Sequence, residues 1–239
     1  MANPLYDALF GRHAGKTTAF LHLEGGVVLT HAGFLGRAAR FAHALTDLGL
    51  KPGDRLAVQI DKSADALALY AACVQAGVIL LPLNTAYTAD EGRYFVTDSG
   101  AAAFVCQPTR RNEMAPVAKA ADCQLETLGA ENDGSFADRA TSASDTFETV
   151  ARDADDLAAF LYTSGTTGRS KGAMLTQANL LSNAQTLAEL WRFTANDVLL
   201  HALPVLATHG LVVARNVALV AGGAVIFLPK RDVWPLYHS

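Results

Sequence analysis

Between residues 55 and 128 the chain alternates short apolar runs with segments of helical length. Residues 55–60 form an apolar strand pattern, 63–76 a helix closed by Gly77, and 78–81 the next strand. Thr88 can cap a helix running to Asp98. A strand at 102–105, a helix around 114–121 and a further strand near 124–128 continue the rhythm. Strands separated by helices pair in parallel through crossovers. The predicted fold class is therefore α/β, with parallel-sheet layers flanked by helices.

The flanks fit that frame. Residues 5–10 read as a short helical turn. A hairpin follows, with strands at 19–23 and 27–30 about a Glu24–Gly25–Gly26 turn. Thr30 can cap a helix whose Phe34, Ala38, Phe41, Leu45 and Leu48 share one face, with Gly49 as its stop. Residues 129–144 are polar and lack periodicity, which predicts a linker or surface excursion. Strands are expected at 157–162, 173–175, 198–201 and 225–228, with helices at 177–191 and 208–220. In the first of these helices Leu180, Leu181, Ala184, Leu187, Ala188 and Trp191 line one face.

A hydrophobic share of 51% and a charged share of 18% suit a sizeable core. The formal net charge of -4, with no Lys/Arg run, argues against a nucleic-acid partner. No membrane span is expected, since the apolar stretch at 211–225 is broken by Arg215, Asn216 and glycines. The first residues lack a basic region followed by an apolar block, so no secretory signal is read there. Cys73, Cys106 and Cys123 lack metal-site spacing, and Cys73 and Cys106 lie in apolar segments. They are read as inert core thiols of a cytoplasmic protein.

The chemistry concentrates in residues 162–175, YTSGTTGRSKGAML. Hydroxyls, glycines and a lysine share one loop between two apolar strand patterns. Such a loop offers backbone N–H groups, hydroxyl oxygens and a cation to a polyphosphate. A Walker loop is excluded by letter order, because Lys171 follows Ser170 rather than glycine and no helix opens there. A dinucleotide fingerprint is excluded too, since the loop contains no G-x-G-x-x-G.

From Tyr162 to Gly172 the string resembles the phosphate-binding motif of the adenylate-forming enzymes, among them acyl-CoA synthetases and luciferases. Ala76–Gly77–Val78 with Leu81–Pro82–Leu83–Asn84 resembles an early segment of that family. Its continuation, Thr85–Ala86–Tyr87–Thr88 with Glu91 and Tyr94–Phe95, looks most like malonyl-CoA synthetases and their nearest acyl-CoA synthetase relatives. Leu203–Pro204 and Thr208–His209–Gly210–Leu211 resemble a later motif, although Leu206–Ala207 replace its usual aromatic–His pair. The resemblance runs to about Lys230, so residues 1–230 are read as a partial N-terminal AMP-binding domain and 231–239 as a departing tail.

The resemblance implies an ATP-dependent acid–thiol ligase. A carboxylate attacks the α-phosphorus of ATP, pyrophosphate leaves, and coenzyme A then displaces AMP. It implies that Thr163, Ser164, Gly165, Thr166, Thr167 and Gly168 wrap the β- and γ-phosphates, with Thr163 touching Mg²⁺. Lys171 is either a phosphate cation or a lysine that orders the loop, and it is the one catalytic candidate. His209, by itself a half-buried histidine at a helix start, is carried by the resemblance to the wall of the acid or nucleotide pocket. Tyr87 and Arg93 read as structural, Tyr94 and Phe95 as core.

Family members are roughly two to three times longer than this chain, beyond one typical domain. The adenine- and ribose-binding segments, the hinge and the small C-terminal domain with its lysine are expected after Lys230 and do not appear. The expectation is a truncated ligase, inactive alone, with malonate the favoured acid. The alternative is a non-catalytic remnant that still binds nucleotide phosphates or associates with a full-length partner through an exposed apolar face.

Overall fold

The computed structural model describes residues 2–163, 170–202 and 214–228. Two sheets share one interior. Helix α1 (Pro4–Leu9) is capped by Asn3, and β1 (Ala19–His22) forms an antiparallel hairpin with β2 (Val28–Thr30). Thr30 Oγ1 then accepts from the Gly33 amide to open α2 (His31–Asp47). From there β3 (Arg55–Gln59), α3 (Ala64–Ala76), β4 (Ile79–Pro82), α4 (Ala89–Asp98), β5 (Ala103–Cys106), α5 (Arg111–Ala120) and β6 (Gln124–Thr127) realise the alternation. After α6 (Ser135–Thr141) come β7 (Leu157–Thr163) and β8 (Lys171–Thr176). The chain closes with α7 (Gln177–Leu190), β9 (Val198–His201), α8 (Arg215–Ala221) and β10 (Ala224–Phe227).

The larger sheet has the order β6-β5-β3-β4-β7-β8, parallel except for β8. The smaller has the order β2-β1-β10-β9, parallel except for β2. Alternation along each strand serves two cores. Leu56, Val58, Ala103 and Val105 face the main core, while Ala57, Phe104 and Cys106 face the layer under α4 and α5.

Helix α3 is apolar apart from Asp65 and Gln75, and all its residues are buried. A helix with no polar face belongs inside, and this one lies in the main core with residues of both sheets. Asp65, in its first turn, is buried against Arg37 at 2.8 Å, which ties α3 to α2.

Residues 129–144 differ from expectation. They are no linker: Ser135–Thr141 is a helix with Phe136, Ala137 and Ala140 buried. Phe136 packs on Phe41 of α2, with ring centroids 5.3 Å apart. Ser135 exchanges hydrogen bonds with Thr127 at 3.0 Å in both directions and also donates to Glu126, while Arg139 pairs with Glu126 at 2.9 Å. Gly134 permits the approach, because a Cβ there would sit 2.5 Å from the Thr127 carbonyl oxygen, and its φ is +104°. Seven residues are too few for a periodic signal, and tertiary contacts decide the segment.

Candidate nucleotide-binding site

Strands β7 and β8 form an antiparallel pair at the border of the larger sheet, in register Tyr162↔Gly172 and Thr163↔Lys171. They are the two stems of the glycine- and hydroxyl-rich loop. Of the loop residues read from sequence, Thr163 and Lys171 are described, both exposed and directly opposite each other. Ser164, Gly165, Thr166, Thr167, Gly168 and His209 lie outside the described residues. A hydroxyl and an ammonium therefore face each other across the mouth of the loop, held by a ladder rather than by flexible chain.

Helix α4 fastens both stems. The Tyr162 hydroxyl donates to Asp98 Oδ2 at 2.6 Å, and the Tyr94 hydroxyl donates to the Ser170 carbonyl at 3.0 Å. Burial, then the bond to Asp98, pushes the Tyr162 phenol upward, so it remains a donor. Phe95 lies between Tyr162 and Tyr87, with centroids 4.7 and 4.9 Å away. The helix itself is set by a capping box, in which Thr88 Oγ1 accepts from the Glu91 amide and Glu91 accepts from the Thr88 amide.

Phe95 is a core residue, as its sequence implies. Tyr94 does more than fill the core, and Asp98 is an anchor that sequence reasoning missed. Their spacing on one helix was the available signal. The structural readings of Tyr87 and Arg93 agree with their positions. The Tyr87 carbonyl accepts from Gln59 and Arg110, and Arg93 pairs with Asp90 at 3.2 Å on the surface.

A second polar cluster lies where the two sheets meet. Lys62, between β3 and α3, donates to the His201 carbonyl at 2.6 Å and sits 4.6 Å over the Phe227 ring. Burial, with the nearby Arg215 guanidinium, lowers its ammonium to about 7. Arg215 is fully buried, and the neighbouring Asn216 donates to the Tyr70 hydroxyl at 3.2 Å. His201 ends β9, so Lys62 is bonded to the last residue of that strand.

Cys73 and Cys106 are buried, and burial raises both thiols, Cys106 to about 11. Thiols held protonated are poor nucleophiles, which agrees with their reading as inert core groups. Among the described residues no helix is long and apolar enough to cross a membrane.

The α/β fold matches part of the N-terminal domain of adenylate-forming enzymes; the model of the AMP-binding enzyme family matches residues 10–237, and the chain belongs to that family. That span enters residues 231–237, which the sequence reading set apart as a tail.

Among solved structures, the chain resembles MatB from Rhodopseudomonas palustris in its apo form, with a TM-score of 0.94 and 48% identity over 99% of this chain and 47% of that one. The ATP-bound form of the same protein gives 49% identity over the same shares, also at a TM-score of 0.94. Among curated relatives, oxalate–CoA ligase of Arabidopsis thaliana is 33% identical over 86% of this chain and 41% of its own length. Feruloyl-CoA synthase of an Amycolatopsis species is 33% identical over 96% and 44%. The chain thus spans less than half the length of these relatives.

Proposed function

We propose that this chain is the phosphate-gripping part of an AMP-forming acid–thiol ligase, which activates a small carboxylic acid with ATP and passes it to coenzyme A. The observation that carries the reading is the 48% identity to MatB over 99% of the chain. The β7–β8 register, which sets Thr163 opposite Lys171, supports it. Malonate is the acid we favour, because residues 85–95 resemble malonyl-CoA synthetases.

In this reading Thr163, Ser164, Gly165, Thr166, Thr167 and Gly168 turn amides and hydroxyls toward the β- and γ-phosphates. Lys171 orders the loop and adds positive charge where pyrophosphate leaves, and His209 lines the acid pocket. Among the described residues no group of three His, Cys, Asp or Glu could hold a metal. The Thr163 hydroxyl would be one protein contact for a Mg²⁺ that arrives with the nucleotide and keeps phosphate and water ligands. Bound so, the ion would offset charge on the departing pyrophosphate. The cytoplasm is the proposed location.

The resemblance puts the adenine and ribose contacts in the half of the relatives that this chain does not span. We predict saturable ATP binding without turnover for this chain by itself, through the phosphate contacts of the loop. ATP titration by calorimetry is the test, with Lys171→Ala expected to weaken binding about tenfold, as for loss of a charge-assisted contact. Absence of saturable binding by the wild type would sink the reading. ATP–pyrophosphate exchange in the presence of malonate would overturn the predicted inactivity.

A further inference from the structure

We propose that the groove between the C-terminal ends of α7 and α8 is a separate ligand site, which binds a monocarboxylate with an apolar body between Arg12 and Arg192. The proposal does not depend on the ligase reading.

Helices α2, α3 and α8 are each closed by a residue in the left-handed region, and each time it is glycine: Gly49, Gly77 and Gly222, with φ of +82°, +71° and +83°. Helix α5 uses Asp122 at +50°, a short polar side chain that tolerates the region. Helix α7 ends in the same way, with the Phe193 amide donating to the Ala188 carbonyl at 2.8 Å and the Arg192 amide to the Glu189 carbonyl at 3.0 Å. Here, however, the left-handed residue is Arg192, at +54°. Glycine would hold this conformation without strain. The arginine head does not serve the fold either, since among the described residues the guanidinium makes no hydrogen bond or ion pair.

Arg192 borders a groove of about 430 Å³, a size that admits a small organic ligand. Arg12, in the turn after α1, lines it too and donates one N–H to the Val220 carbonyl at 2.7 Å. Neither guanidinium has a carboxylate partner among the described residues. Phe193, Val220 and Ala221 supply the apolar wall. Glu189 lines the same groove and offsets one of the two positive charges. A balance of one positive charge selects a monoanion over a phosphate dianion, and the planar arginine fork matches a carboxylate. Helix α7 has 14 residues, about 21 Å of rise, and the groove lies at its end away from Thr176. The site is therefore distinct from the β7–β8 loop.

The test is titration of the full chain with naphthoate, followed by calorimetry, with naphthamide as the uncharged isostere. The expected result is saturable one-to-one binding of naphthoate and about tenfold weaker binding of naphthamide. Arg192→Gly should weaken naphthoate binding about tenfold while raising the thermal midpoint by about 3 °C, because the strain at this position is released. Arg12→Gln should weaken it by a similar factor, and Glu189→Gln should tighten it about threefold. Lys171→Ala should bind naphthoate as the wild type does. No saturable binding at millimolar naphthoate, equal affinity for naphthamide, or binding indifferent to both arginine variants would overturn the proposal. A thermal midpoint that falls in Arg192→Gly with binding unchanged would show that the arginine serves the helix dipole alone, and would overturn it as well.

Discussion

Truncation of Phe136 to alanine tests whether residues 129–144 belong to the core. The ring is fully buried and lies 5.3 Å from Phe41, in a helix bonded to β6 through Ser135 and Arg139. An aromatic ring of this size removes about 150–250 Å² from water, worth about 4–6 kcal/mol at 25 cal/mol per Å². The alanine methyl retains part of that, and partial collapse recovers more, so the expected loss is about 4 kcal/mol. With a urea dependence of about 2 kcal/mol per molar, the unfolding midpoint should fall by about 2 M. Phe136→Leu keeps most of the volume and should lose about 1 kcal/mol. Urea denaturation followed by far-UV circular dichroism gives both values. A loss under about 1 kcal/mol for the alanine variant would mean that the segment is the solvent-exposed linker its polar letters suggest.

Other predictions address the site and its surroundings. Tyr94→Phe removes the donor to the Ser170 carbonyl, about 1 kcal/mol, and should read as a roughly fivefold weaker ATP Kd by calorimetry; an unchanged Kd would refute the anchoring role. His31 stacks between His13 and Phe20, and burial first, then the charge of His13 and Lys16, lowers it to about 4. The unfolded chain takes up that proton first, so stability is present above about pH 6.5 and falls by about 3 kcal/mol as pH drops toward 4. His31→Phe should flatten this slope in thermal melts from pH 7 to pH 4. Lys62, lowered to about 7, should be acetylated by acetic anhydride at pH 7.5 ahead of ordinary surface lysines, as read by peptide mass spectrometry. Equal labelling would contradict the effect of Arg215 and burial.

Legibility followed the range of the physics. Helix starts at Thr30, Ser63, Thr88 and Thr176 rest on one side chain bonding an amide three residues on, and such local rules can be read from letters. The loop's family was legible because its motif is carried by consecutive residues. Its anchors were not, since Tyr94 and Asp98 reach partners 76 and 64 residues away. The helix at Ser135 was hidden for the same reason: its one large apolar residue acquires meaning only beside Phe41. In α7 the apolar stripe identified the helix, yet Leu180 and Ala184 are buried while Trp191, just beyond its end, is 54% exposed. Periodicity reports the element and leaves open what covers its far end.

The pairing of β1 with β10 bears on how the protein is made. Leu21 waits for Val225, about 200 residues later, before the smaller sheet can close. At translation rates of about 5–20 residues per second, the first hairpin spends roughly 10–40 s without its neighbour. The larger sheet has every strand in hand once Thr176 emerges, so it can form while the ribosome is still adding α7 to β10. Contacts of such long range also slow folding. The protein therefore should mature in two stages, with a wait during which Phe20 and Leu21, fully buried at the end, depend on chaperones or on their own α2 for cover.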